Sequence, residues 1–65
     1  MSRYADIIHA VCLFCFENKI DKDKTTSFAV DILGYAGQID IDENQEVQFV
    51  TKKVNKYWEE NEKKS

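Results

Sequence analysis

The residues with the strongest potential for chemistry are His9, Cys12 and Cys15, which form an H-x-x-C-x-x-C string. A structural zinc site usually takes four tetrahedral ligands, supplied by turns that bring paired cysteines together. On a single helix these three side chains would spread over roughly 120° of arc, and the chain has no other cysteine or histidine. We therefore expect two small core cysteines, a histidine at the surface or at an edge, and no bound metal or cofactor.

Two acidic segments, 21–25 and 40–44, begin like calcium-binding loops. The first has Thr26 and Ile32 where such a loop requires glycine and glutamate, and the second fails in the same way. The sequence does not support catalysis either, because the single histidine has no serine nearby. There is also no glycine-rich phosphate loop and no nucleophile elbow. The sequence therefore predicts a protein that is not an enzyme.

The net charge of −3 is unevenly distributed along the chain. Residues 21–46 carry two lysines against seven acidic residues, whereas residues 47–65 carry five lysines against three. Four of the acidic residues form what we call the acidic patch: Asp40, Asp42, Glu43 and Glu46. This patch is either a solvated surface whose charge favours a helix N-terminus or a surface that meets a basic groove on a protein partner. Nucleic acid is disfavoured as a partner, because its binding proteins carry a basic stripe.

The spacing of apolar residues predicts helices at 2–18, 27–36 and 43–62. The first begins after a candidate N-cap, Ser2, and its apolar stripe consists of Tyr4, Ile7, Ile8, Val11, Phe14 and Cys15. The second can be capped by one of the hydroxyl residues at 25–27, and Gly37 stands where a left-handed glycine would end it. The charged tail, 59–65, is expected to fray.

The third segment has two interpretations. As a helix, it places five apolar residues within about 100° of arc: Val47, Val50, Val54, Tyr57 and Trp58. As a β-hairpin at 39–50 followed by a short C-terminal helix, it would alternate apolar residues inward, but the turn lacks the glycine that favours tight hairpins. The helix is favoured because only Phe49 falls out of phase.

The first helix is apolar on more than one side, since Leu13 and Phe16 lie opposite its main stripe. Either the helix is wholly buried between the other two, or the Leu13/Phe16 side is an exposed contact surface. We favour a contact surface and expect Phe49 and Trp58 to act as further aromatic anchors. A homodimer formed through this surface would supply core that a short chain lacks.

These patterns predict a single all-α domain over residues 1–65, with three helices packed compactly and an α+β fold as the alternative. The longest apolar run, residues 10–16, is too short to cross a bilayer, and reduced cysteines favour a cytoplasmic protein. We expect a small non-catalytic regulator or inhibitor that binds a protein sterically. Its size and composition alone suggest a phage or mobile-element origin. The alternative is a small dimeric, nucleic-acid-associated transcriptional regulator.

Overall fold

The computed structural model describes residues 4–64, with side chains described as far as residue 63. It contains three α-helices, α1 (Ala5–Glu17), α2 (Lys22–Tyr35) and α3 (Asn44–Lys64), and no strand within the described range. The predicted all-α three-helix fold is confirmed. The hairpin alternative at 39–50 is not supported, because residues 44–50 belong to α3. The predicted N-cap Ser2 lies outside the described residues.

The three helices pack against one another in an up-down-up arrangement. Tyr4 contacts Phe49 near one end of the molecule and Phe16 contacts Trp58 near the other, so α1 and α3 run parallel. The short connection 18–21 turns α2 back along α1. The molecule measures 34 × 21 × 18 Å, and its long dimension matches the roughly 31 Å expected of a 21-residue helix at 1.5 Å per residue.

The core lies along the axis between the three helices. Its buried apolar residues are Ile8, Cys12, Cys15, Ala29, Leu33, Ile39, Val50, Val54 and Trp58. On α1 the inward side is therefore centred on Ile8, Cys12 and Cys15, and Phe14, predicted to belong to the inward stripe, is 57% exposed. The cysteines are small enough to lie where helices approach closely, and the larger phenylalanine is turned to the edge.

The turn between α1 and α2 is closed by hydrogen bonds on both sides. Lys19 adopts a left-handed conformation with φ of 60°, and the N–H of Ile20 donates to the carbonyl of Cys15 at 2.9 Å, as in a Schellman motif. Asp21 then caps α2, because its carboxylate accepts a 2.8 Å hydrogen bond from the N–H of Lys24. The prediction that α2 starts at 27 is wrong, since Asp21 lets charged residues form its first turn.

The turn that ends α2 contains Gly37 in a left-handed conformation, as the sequence predicts. Gly37 has φ of 73°, and its N–H donates to the carbonyl of Gly34 while that of Gln38 donates to Leu33 at 2.8 Å. These paired bonds satisfy carbonyl groups that a helix end leaves open. Beyond this turn, α3 continues to Lys64, so the charged residues expected to fray are helical as far as position 64.

Candidate functional site

The two cysteines are fully buried, reduced and unsuited to nucleophilic chemistry. Burial, reinforced by the neighbouring Cys15, raises the pKa of the Cys12 thiol to about 11, so this thiol is protonated at neutral pH. His9 is exposed, and its ring packs edge-on against Tyr57 at 5.5 Å between centroids. Residues 4–64 hold no group of three or more His, Cys, Asp or Glu side chains arranged to bind a metal ion.

Unfolding at alkaline pH should report on Cys12. Because its pKa rises from 9.0 to about 11 on folding, the unfolded chain loses this proton first. The free energy of unfolding should therefore fall between about pH 9 and 11, by up to about 1.4 kcal/mol per pH unit. Urea titrations followed by circular dichroism measure this.

Cys12→Ala is the control for that slope. Burial, with the charges of Cys12 and Glu17, also raises the pKa of Tyr57, and the tyrosine remains in the variant. The difference between the two pH profiles thus belongs largely to Cys12. Identical slopes for variant and wild type would contradict the assignment.

An aromatic cluster joins the ends of α1 and α3. Phe16 lies 5.1 Å from Trp58 and 6.0 Å from Tyr57 between ring centroids, in edge-on geometry. Trp58 is only 9% exposed and Phe16 is half-buried. Two of the predicted partner anchors therefore contact each other within the monomer, and Trp58 is not available as a surface anchor. The α3 phase explains this, because Trp58 continues the buried row of Val50 and Val54.

Phe49, predicted to point away from the core, is half-covered by its own chain. Its ring packs edge-on against Tyr4 at 5.6 Å, and the Lys53 ammonium lies 5.3 Å from its centroid. These contacts give Phe49 a place between the N-terminal end of α1 and the polar face of α3. It does not form one surface with Leu13, which lies near the other end of α3.

Leu13 remains exposed, at 43%, and stands at the edge of an open cleft of about 650 Å³ between α1 and α3. The residues lining this feature, which we call the Leu13 cleft, are His9, Leu13, Tyr57, Glu60, Asn61 and Lys63. A smaller cleft of about 190 Å³ shares His9, Tyr57 and Glu60 with it and reaches the buried Cys12. The two clefts lie side by side along the α1–α3 contact, and Lys53 and Lys56 line the smaller one.

The acidic patch is held together by local hydrogen bonds. The Glu46 carboxylate accepts from the N–H of Asp40, and the Asp40 carboxylate accepts from the N–H of Asp42 at 2.9 Å. These bonds order the loop that leads into α3, which gives the patch a structural role. Asp40, Asp42 and Glu43 remain exposed.

An exposed apolar surface on α1 and α2 was not predicted from the sequence. We call it the α1–α2 strip: Phe14, Phe28, Ile32 and Tyr35, which are 57%, 49%, 37% and 98% exposed. The sequence predicted Phe14 to lie in the inward stripe of the first helix, yet it is exposed, and the buried apolar residues of α2 are Ala29 and Leu33. The available signal was the alanine beside Phe28, because small residues mark the line where helices approach most closely.

None of the helices described between residues 4 and 64 is long and apolar enough to cross a membrane. No family model matches the chain, and neither the curated proteins nor the solved structures provide a match.

Proposed function

We propose that the protein is a small non-catalytic regulator or inhibitor that binds another protein at the Leu13 cleft and acts sterically. The observation that carries this proposal is the exposed Leu13 at the mouth of a cleft of about 650 Å³. An apolar side chain beside a groove between two helices suits the docking of an amphipathic partner helix.

The polar lining of the cleft supports a specific orientation for such a helix. Asn61 and Lys63 can donate hydrogen bonds from one side, and Glu60 can accept from a donor on the partner. The charge is mixed there, since Lys63 already pairs with Glu59 at 3.5 Å. The exposed members of the acidic patch lie near the opposite end of α3 and would steer a basic partner surface during approach.

The same proposal includes the cellular setting. Two reduced, fully buried thiols fit a cytoplasmic protein. We also propose a phage or mobile-element origin, and only the size and composition of the chain support it.

Leu13→Asp tests the proposal. The full-length tagged chain is used to capture proteins from its native host, beside Lys52→Glu as a matched control on the exposed face of α3. We expect one or a few proteins to be retained by the wild type and by the control. Leu13→Asp should retain them at least about 10-fold less, because a charge would be placed in an apolar contact.

Circular dichroism of each variant separates loss of binding from loss of folding. Leu13→Ser serves as a milder second variant. Equal retention by wild type, Leu13→Asp and Leu13→Ser would show that the cleft is not the binding site.

The alternative function is a nucleic-acid-associated regulator, for which the lysines of α3 are the favouring observation. Lys52, Lys53 and Lys56 are exposed on the same helix. Tight binding to duplex DNA that weakens steeply with salt would replace the protein-binding proposal. The protein-binding proposal instead requires little affinity for DNA at physiological salt.

A further inference from the structure

The α1–α2 strip lies on a different side of the molecule from the Leu13 cleft. α3 packs on the side of α1 that carries His9 and Cys12. Phe14 lies about 140° around α1 from His9, at 100° per residue. The strip is therefore separate from the surface to which we assign partner binding.

The phase of α2 places its exposed apolar residues beside Phe14. On one edge of α2, Gly34 approaches the side chain of Ile41 in the loop that leads to α3. The opposite edge, which carries Phe28, Ile32 and Tyr35, is therefore the edge nearest α1. Because α1 and α2 run antiparallel, Phe14 near the end of α1 lies at the height of the first half of α2. The four residues thus follow the α1–α2 seam.

We propose that a second copy of this chain packs on the α1–α2 strip, forming a two-fold symmetric dimer in which the two α2 helices cross antiparallel beside Phe28. The inference goes beyond the proposed function and does not depend on it. In this arrangement Phe28 of one protomer lies near Phe28 of its partner, and the Leu13 cleft of each protomer stays open.

Charge complementarity about Phe28 supports a second copy as the occupant. Lys24 and Asp31 are exposed and flank Phe28 on the same edge of α2, at spacings of four and three residues. When two such helices cross antiparallel at Phe28, Lys24 of each protomer faces Asp31 of the other. A two-fold axis makes this pairing twice.

The exposed apolar area is also of the size that a small dimer needs. A fully exposed aromatic side chain offers about 150–250 Å², so the exposed fractions of Phe14, Phe28 and Tyr35 correspond to roughly 300–500 Å² per protomer. A standard interface buries about 800 Å² per partner, with an apolar centre and a polar rim. The aromatic residues supply that centre, and the polar residues beside them supply the rim.

The test measures the mass of the full-length chain by sedimentation equilibrium over a wide range of concentration. The wild type is expected to reach twice the monomer mass as concentration rises. Phe28→Asp should weaken dimerisation at least about 10-fold, because it places two carboxylates at the centre of the interface. Leu13→Asp is the matched control and should dimerise like the wild type.

A charge exchange tests the register and uses only exposed polar positions, so folding is not at risk. Lys24→Asp and Asp31→Lys should each weaken dimerisation by about 3- to 10-fold at low salt, because each change creates two like-charge contacts. The double variant should recover most of the wild-type affinity, and these differences should shrink as salt is added.

The outcomes separate this inference from the proposed function. A wild type that stays monomeric at every concentration would overturn the dimer, as would dissociation by Leu13→Asp together with an unaffected Phe28→Asp. A double variant no better than the single ones would overturn the antiparallel register. If Phe28→Asp loses helicity, the charge-exchange variants alone test whether the dimer forms through the α1–α2 strip. Loss of host-protein capture by Leu13→Asp bears only on the Leu13 cleft.

Discussion

Leu33→Ala is expected to lower the free energy of unfolding by about 2–5 kcal/mol, since the side chain is fully buried. Its neighbours in the α2 core, Thr25 and Ala29, are small, so Leu33 is the largest of the three buried side chains of this helix. Loss of its methyl groups leaves a cavity in the core cluster. A chain of this length has only roughly 3–5 kcal/mol of core stability, so much of the variant should be unfolded.

Tyr35→Ala is the matched control on the same helix. Tyr35 is 98% exposed, and its removal should change the free energy of unfolding of the monomer by no more than about 0.5 kcal/mol. Urea unfolding followed by far-ultraviolet circular dichroism measures both variants. The protein must be dilute enough to be monomeric, because dimerisation would add to the apparent stability. A greater loss for Tyr35→Ala than for Leu33→Ala would contradict the described core.

Trp58→Ala is expected to have the second large effect, a loss of about 3–5 kcal/mol in the free energy of unfolding. The indole is 9% exposed, belongs to the core cluster that contains Val50 and Val54, and lies 5.1 Å from the ring of Phe16 between centroids. Removing it takes away the large side chain that closes one end of the bundle. Thermal and urea unfolding, followed by circular dichroism because the variant has no tryptophan, measure the loss.

Trp58→Phe controls for the loss of volume. Its free energy of unfolding should lie between those of the wild type and Trp58→Ala, since it keeps an aromatic ring against Phe16. A surface anchor would behave in the opposite way, with stability unchanged and only binding affected. If Trp58→Ala is as stable as the wild type, Trp58 instead has the surface role predicted from the sequence.

The number and type of elements followed from the sequence because the strongest signals were local. Val50, Val54 and Trp58 repeat every four residues, and they form the buried row of α3. Gly37 marks the end of α2 because a left-handed residue is required there. The start of α2 was missed because its first turn is charged and carries no apolar repeat. Asp21 lies in a charged segment outside the predicted helices, although its carboxylate caps α2.

Which side of each helix faces the core could not be predicted with the same accuracy. A broad apolar arc is compatible with several inward directions, and the choice depends on neighbours that the arc does not reveal. On α1 the small cysteines face the core and Phe14 lies at the edge. Leu13 is exposed, as favoured from the sequence, whereas Trp58, predicted to be a surface anchor, is buried. The four residues of the acidic patch could be named from the sequence, but the hydrogen bonds among them depend on a loop geometry that spacing does not contain.

The tight turn between α1 and α2 also bears on how quickly the chain folds. The left-handed Lys19 and the capping Asp21 stand two positions apart, so the closing bonds of both helices form between residues close in sequence. Such local contacts need little loop closure, and helical bundles rich in them fold in microseconds to milliseconds. The α1–α2 pair can thus assemble early as a unit. The aromatic cluster at the end of α3 joins residues some forty positions apart, and its formation would complete the structure.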